Sequence, residues 1–347
     1  MSTPAVPRKT IHAPKGAQYA RILGVGGYRP ERVIPNSELV EAIDSSDEWI
    51  RERSGIVTRH FAAHDESVVD MSVHAARDAI AAAGVSVEDI DVILIATVTH
   101  PYQTPAAAPA LAERLGIPTV AAFDISAACA GYAYGISLAN DMIRGGSAGH
   151  VLVIGVEKLS DFTDFHDRGT AFIFGDGAGA AVVGPSDVPG IGPTIWGSDA
   201  TRWDAIAQRV PWTELRDTWR AEAAGDQMPW PALTMQGQAV FRWAVWGMPP
   251  VLEKALAAAG ITAGDLDAFI PHQANMRIVD AMVKQLKLPE HVPVARDIAT
   301  TGNTSAASVP LATERMLREG EIPHGGLALQ IGFGAGLAYA AQVIVLP

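Results

Sequence analysis

The sequence predicts an α/β fold made of two related halves. Two sheets share buried helices between them and carry further helices outside. Three observations predict it. The chain repeats itself: AIAAAGVSVEDIDVIL from Ala79 matches ALAAAGITAGDLDAFI from Ala255. Two more pairs follow in the same order: CAGYAYGISLANDMIRGG from Cys129 against NTSAASVPLATERMLREG from Asn303, and FGDGAGAAVV from Phe174 against GFGAGLAYAA from Gly332. Each half also interleaves helical patterns with short runs rich in Val, Ile and Ala. Such strands suit sheets covered on both faces.

In chain order, residues 1–17 hold three prolines and no apolar stretch. They read as a flexible tail without a secretory signal, which implies a cytoplasmic protein. The first half runs over 18–186. Its repeat unit at Ala79 reads as helix, glycine cap, polar link and buried strand. TVAAFDIS then reads as a buried strand that delivers Cys129 to the first turn of a helix. That helix carries no charge from Ala130 to Asn140, so it is buried all round at the pseudo-symmetric centre. The halves join near Gly184–Pro193, and the second runs over 187–347. In the aligned repeats, Asn303 stands opposite Cys129. Residues 196–236 break the pattern. Five of the eight tryptophans fall there with several charges and no clear period, as in a lid, a substrate loop or a surface packing loop.

Hydrophobic residues make up 48% of the chain and charged residues 18%, which excludes a disordered protein. The single cysteine excludes an intrachain disulfide framework and a multi-cysteine zinc site, and it suits a reducing compartment. A formal charge of −12 argues against binding nucleic acid through the whole surface. No run of about 18 apolar residues offers a membrane span.

Three polar residues are candidates for chemistry. Cys129 sits at a strand end before a helix, where the helix N-terminus lowers a thiol pKa. His272 ends the strand AFIP within PHQANMRI. Asn303 begins a helix within TTGNTSAAS. The pseudo-symmetry brings the two central helix N-termini together, and so gathers Cys129, His272 and Asn303. Two chemistries use such a cluster. In a thiol protease, His activates Cys and Asn orients His. In a condensing enzyme, Cys carries an acyl thioester while His and Asn donate hydrogen bonds to an enolate oxygen. The duplicated layout and buried helix favour the second. The runs GDGAG and GFGAG lead into strand-like sequence, so they fail the dinucleotide-binding context. The second run suits close backbone approach, with a backbone N–H joining that of Cys129 in an oxyanion hole.

SSDEWIRERSGI, DISAACAGYAYG, DRGTAFIFGDGAGAAVV, PHQANMRI and GNTSAASVP, in that order, resemble the β-ketoacyl-[acyl carrier protein] synthase III family, especially its actinomycete members. The resemblance runs from about Tyr19 to the end of the chain. It implies the thiolase-like five-layer αβαβα fold and a homodimer. It implies no permanently bound cofactor, with acyl-CoA and malonyl-acyl carrier protein as substrates. Cys129 would take the primer acyl group. His272 and Asn303 would support decarboxylation and hold the enolate. The second oxyanion donor would fall at Ala335, in a GFGAGLAYA run that departs from the GGGFTWG-like run of many members. Trp49 and Arg168 would flank the adenine, and Arg53, Gln238, Ala274 and Asn275 would line the coenzyme A path. Phe174 and Phe333 would shape the acyl pocket. So would Thr104, where some straight-chain enzymes insert a phenylalanine from the partner subunit. Arg242, Arg277 and Lys284 would meet the acidic carrier protein near the tunnel mouth. An acyltransferase to an alcohol or amine is the alternative. It would keep Cys129 but need no decarboxylation, so the intact PHQAN and GNTSAAS runs favour condensation. A non-catalytic partner subunit would have no need of the thiol.

Overall fold

A computed structural model describes residues 11–221 and 230–347, with side chains for all of these except 218–221. The chain begins with β1 (Tyr19–Tyr28). A side excursion follows: β2 (Arg32–Pro35), α1 (Asp47–Ser54) and β3 (Thr58–Phe61), with β2 antiparallel to β3. The first half continues through α2 (Val68–Ala83), β4 (Val92–Ala96), α3 (Ala107–Leu115), β5 (Ala121–Ile125), α4 (Gly131–Gly145), β6 (Val151–Glu157) and β7 (Gly177–Ser186). The second opens with β8 (Ile195–Ser198), β9 (Ile206–Gln208), α5 (Trp212–Ala221) and β10 (Leu233–Met235). It then runs through α6 (Gly237–Ala259), β11 (Ala268–Pro271), α7 (Met276–Leu286), α8 (Ile298–Thr301), α9 (Ser308–Arg318), β12 (Leu327–Gly334) and β13 (Ala338–Val345).

Two sheets carry the fold, in the orders β1-β7-β6-β4-β5 and β11-β12-β13-β8. Traced from β1 and from β8, their directions agree. Two antiparallel pairings come first, then a parallel one between β6 and β4 or between β12 and β11. Val294 makes a lone parallel bridge to Phe269, on the β11 side where a fifth strand would lie. α2 and α3 cover the outer face of the first sheet, and α6 and α7 that of the second. α4 and α9 pack between the sheets. The layers are therefore α, β, α, β, α, as in thiolase-like folds.

The local sequence accounts for the elements. Ser67 and Asp70 cap α2 reciprocally, and Gly84 ends it in the left-handed conformation at φ 66°. Gly260 ends α6 in the same way. β4 and β6 are buried at every residue, as a strand with helices on both faces must be.

Four expectations need correction. The repeats align differently from their sequence match. The turn Ala128–Ala130 runs into α4 and the turn Ser305–Ala307 into α9, so the structural counterpart of Cys129 is Ala306, not Asn303. The two helices end on Gly146 and Gly320, which is where the sequence match holds. α9 is shorter by about one turn, and losing a turn leaves the buried face of a helix in place. The third repeat also dissolves: Gly175–Gly179 enters β7, whereas Gly332–Gly336 closes β12 and turns toward β13.

β5 is not deeply buried. It is the last strand of its sheet, with Ala121 exposed and the rest half-buried. The stretch 196–236 is less irregular than its sequence. Its first residues belong to β8, which pairs with β13, and β9 and β10 form an antiparallel ladder. Strands of three or four residues are too short to show a period. Of the expected tail, residues 1–10 lie outside the described residues. Gly16 and Ala17 pack against the end of α4, Ala17 N donating to Ile143 O at 3.2 Å. Among the described residues, no helix is long and apolar enough to cross a membrane.

Candidate active site

Cys129 lies in the tight turn between β5 and α4. Ala128 takes φ 43° there, a conformation few non-glycine residues adopt. Each central turn rests on a glycine of the opposite sheet. A Cβ on Gly332 would stand 2.8 Å from the Cys129 carbonyl oxygen, and one on Gly155 would stand 2.2 Å from that of Ala306. These close approaches cross the pseudo-two-fold and lock the two helix N-termini together at the centre.

His272 follows β11 directly, its N–H donating to Ile331 O at 2.7 Å. Asn303 is spliced onto the segment ahead of β7. Its N–H donates to Ile173 O at 2.9 Å, and Gly175 N–H donates to its carbonyl at 3.0 Å. The fully buried Arg59 pins that segment by donating to Phe172 O at 2.9 Å. Cys129, His272 and Asn303 thereby line one largely apolar cavity of about 410 Å³, together with Phe174, Phe333 and Ala335. The Phe333 ring stands edge-on to His272 at 5.2 Å between centroids. Part of the wall comes from the 196–236 stretch, through Ile206, Leu233 and Met235. Residues 222–229 lie outside the described residues.

The polar atoms are oriented by neighbours. Asn303 Oδ1 accepts from Ser305 N–H at 2.8 Å, which leaves its Nδ2 as a donor. His272 Nδ1 lies 2.7 Å from Ser308 Oγ. That hydroxyl has no other acceptor among the described hydrogen bonds, so we assign its proton to the bond with Nδ1. The neutral imidazole then carries its proton on Nε2. Burial pushes the His272 pKa down to about 3 and keeps the ring neutral.

The thiol differs from the expectation. Burial pushes Cys129 up to about 12. Hydrogen bonds from Ser305 and from the backbone N–H groups of Cys129 and Ala335 oppose that rise only in part. Desolvation in the cavity thus works against the pull of the helix N-terminus, although the residue as a whole is half-buried. Both N–H groups thus lie beside the thiol, next to where the carbonyl oxygen of a group bound to sulfur would stand.

The peripheral residues divide. The Arg168 guanidinium lies 5.0 Å and that of Arg53 5.6 Å from the Trp49 ring centroid. Trp49 and Arg168 are thus in contact. A ring stacked between them would need about 7 Å, twice the usual carbon contact, so one must move to admit it. Ala274 and Asn275 line the cavity. Asn275 also caps α7, accepting from Arg277 N–H and donating to Arg53 O. Gln238 is exposed and does not line the cavity, whereas its neighbours Gly237 and Val240 do. Thr104 is exposed and lines no part of its own chain's cavity. Arg277 stands over Phe241, a cavity residue, at 5.3 Å. Lys284 is exposed two turns further along α7. Arg242 lines a neighbouring groove with Trp243 and Trp246. Sequence reasoning missed Ser305, Ser308 and Glu157. The signal for Glu157 was a single carboxylate closing the apolar run VLVIGVE.

Two family models match the chain. That for 3-oxoacyl-[acyl-carrier-protein (ACP)] synthase III matches residues 123–200, and that for its C-terminal part matches 256–346. The β-ketoacyl-[acyl-carrier-protein] synthase III of Streptomyces glaucescens is 60% identical over 337 residues, covering 97% of this chain and 99% of the relative. This chain belongs to that family. The synthase is also 51% identical to the mycobacterial β-ketoacyl-[acyl-carrier-protein] synthase III of Mycobacterium avium, over 98% of this chain and 99% of the relative. Among solved structures it is similar to the priming β-ketosynthase of the R1128 polyketide biosynthetic pathway. That match has a TM-score of 0.92 and 47% identity, and it covers 98% of this chain and 99% of the other. The 3-oxoacyl-(acyl carrier protein) synthase III of Pseudomonas aeruginosa superimposes with a TM-score of 0.85 at 37% identity, over 95% and 99% of the two chains. The synthase is a condensing enzyme with the thiolase-like fold.

Proposed function

We propose that this synthase joins an acyl-CoA primer to malonyl-acyl carrier protein, with loss of CO2, through a thioester on Cys129. The product is a 3-oxoacyl-acyl carrier protein that starts a fatty acid or related polyketide chain. The observation that carries the reading is the convergence of Cys129, His272 and Asn303 on one apolar cavity, with two backbone N–H groups at the thiol.

The geometry suits both half-reactions. In the first, Sγ attacks the primer carbonyl, and the N–H groups of Cys129 and Ala335 receive the developing oxyanion. In the second, the malonyl thioester oxygen lies between His272 Nε2–H and Asn303 Nδ2. Loss of CO2 leaves an enolate on that oxygen, and two donors held in place stabilise it. A neutral His272 suits a donor better than a base. The enolate carbon then attacks the acyl-Cys129 thioester. This chemistry calls for no resident metal or redox group.

The remaining assignments follow the family. Phe174 and Phe333 shape the acyl pocket, and Trp49, Arg53, Arg168, Gln238, Ala274 and Asn275 serve coenzyme A. Arg242, Arg277 and Lys284 form a basic path for the carrier protein on an otherwise acidic body. The halves 18–186 and 187–347 are the two units of the duplication, and the enzyme works in the cytoplasm. A homodimer is supported by the half-exposed edge strand β5 and the exposed loop at Thr104 beside it, which a second copy would cover.

The test is incubation with malonyl-acyl carrier protein and acyl-CoA, reading CO2 release and product mass. Acyl transfer to an alcohol or amine without CO2 would overturn the condensing reading.

A further inference from the structure

Glu157 closes β6 at the centre of the molecule and is wholly buried. Its carboxylate accepts from Thr99 Oγ1 at 2.6 Å, Thr97 Oγ1 at 3.2 Å, Val98 N–H at 3.1 and 3.2 Å, and Ser305 Oγ at 3.3 Å. No cation pairs with it among the described residues. Lys158, next in the chain, turns its Nζ to the carbonyls of Ala63 and His64 and to Asp161. A carboxylate buried without a cation is costly to the fold. The steps described above make no use of it.

Ser305 connects this carboxylate to the nucleophile. Its hydroxyl donates to Glu157 Oε1 on one side, and on the other the residue lines the same cavity wall as Cys129, close enough to pull the thiol pKa down. Ser305 is held at φ 49°, a left-handed conformation that strains a non-glycine residue. Strain of that kind persists where the surroundings impose it. Here the Ser305 N–H also fixes Asn303 Oδ1. The pseudo-two-fold that matches Gly155 with Gly332 matches Glu157 with Gly334, the residue packed against Cys129. One half thus places a glycine beside the nucleophile, and the other places a carboxylate beside the serine.

We propose that Ser305 and Glu157 form a proton relay for Cys129, in which the Ser305 hydroxyl touches the reacting sulfur and Glu157 acts through it. The relay rests on the reading that Cys129 is acylated. As the bond between Sγ and the acyl carbon forms, the thiol proton passes to Ser305 Oγ, and the hydroxyl's own proton passes to Glu157. The carbon–sulfur bond to the leaving thiolate then breaks. The Glu157 carboxyl returns its proton through the same hydroxyl, and the leaving group departs as a thiol. No proton is gained or lost, and no other reactant is needed.

The electrostatics agree with this path. A thiol held near 12 needs an acceptor, and burial pushes Glu157 up to about 7, poised to take and return a proton near neutral pH. The groups that face Glu157 are Thr97, Val98 N–H and Thr99 from the end of β4, Ser305 ahead of α9, and Cys129 ahead of α4. Of these only Cys129 titrates, and Lys158 on its own strand is turned away. The 3.3 Å separation is long for an O–H···O bond, as catalytic hydrogen bonds often are before substrate binds.

The experiment is single-turnover acylation of Cys129 by acetyl-CoA, quenched and read by intact mass from pH 5.5 to 9. Four proteins are compared: wild type, Glu157→Gln, Ser305→Gly and, as the conservative control, Glu157→Asp. The wild-type rate is expected to rise with pH through a midpoint near 7. Both variants should lose that inflection and fall at least tenfold at pH 8, and Glu157→Asp should regain the inflection. A folded Glu157→Gln with the wild-type profile overturns the relay. Should that variant fail to fold, Ser305→Gly and the wild-type profile decide. A wild type with no inflection between pH 6 and 8 overturns the relay without any variant. Acylation with an unchanged profile sinks the relay alone, whereas no acylation of Cys129 at any pH sinks the acylation reading and the relay with it.

Discussion

Gly334 packs flush against Cys129: a Cβ on it would stand 2.7 Å from both Cβ and Sγ of the cysteine. Real Cβ atoms do not approach so closely, so Gly334→Ala must displace the thiol or the turn that carries it. Overpacking of this kind costs about 1–3 kcal/mol. The variant should melt several degrees lower, and its acylation by radiolabelled acyl-CoA should fall by at least tenfold. Unchanged labelling would mean that the thiol has room to move.

Cys129→Ala should take up no label from radiolabelled acyl-CoA on a denaturing gel. Labelling as strong as wild type would refute Cys129 as the nucleophile.

Asn303→Ala removes one of two donors proposed for the enolate and leaves the thiol in place. Its malonyl decarboxylation should drop by about 10²–10³-fold, the usual cost of one oxyanion donor. Acylation of Cys129 should persist. Equal losses in both half-reactions would show that Asn303 serves the fold more than the enolate.

His272 makes stability depend on acid. Its folded pKa is pushed down to about 3, below the ordinary value of 6.5. Between those values the unfolded chain binds a proton that the folded chain refuses. Stability is therefore complete above about pH 6.5 and lost as pH falls toward 3, by up to about 1.4 kcal/mol per pH unit. Glu157 has the opposite sign. Its folded pKa of about 7 lies above the ordinary 4.5, so its contribution is full below about 4.5 and lost as pH rises through 7. His272→Asn should flatten the acid side of a plot of melting temperature against pH. A slope equal to wild type below pH 6 would contradict the buried neutral imidazole.

Thr104 presents a small side chain, and the cavity holds about 410 Å³. Isobutyryl-CoA or a similar branched primer should be used at least as well as acetyl-CoA in steady-state kinetics. Thr104→Phe should shift preference toward acetyl-CoA. A wild-type enzyme that prefers acetyl-CoA to every branched primer would refute the wide pocket.

Much of this fold was legible because it rests on local signals. Gly84 and Gly260 end matched helices, and the apolar runs at β4 and β6 are long enough to mark strands buried on both faces. Cys129, His272 and Asn303 were legible because each closes a recognisable run. β8 was not, because four residues carry no period. Nor was the true partner of Cys129, because α9 is shorter by one turn and a helix absorbs that loss without changing its buried face.

The sequence by itself determined the duplication, the central uncharged helix and the residues able to do chemistry, since these follow from composition, periodicity and order. Only the tertiary structure decided how those residues are tuned. Burial raises the thiol against the pull of the helix N-terminus, Ser308 sets the imidazole proton, and Ser305 donates to Glu157 across 148 residues of chain. Desolvation and hydrogen bonding act through space among residues far apart in the chain, and no local pattern records them.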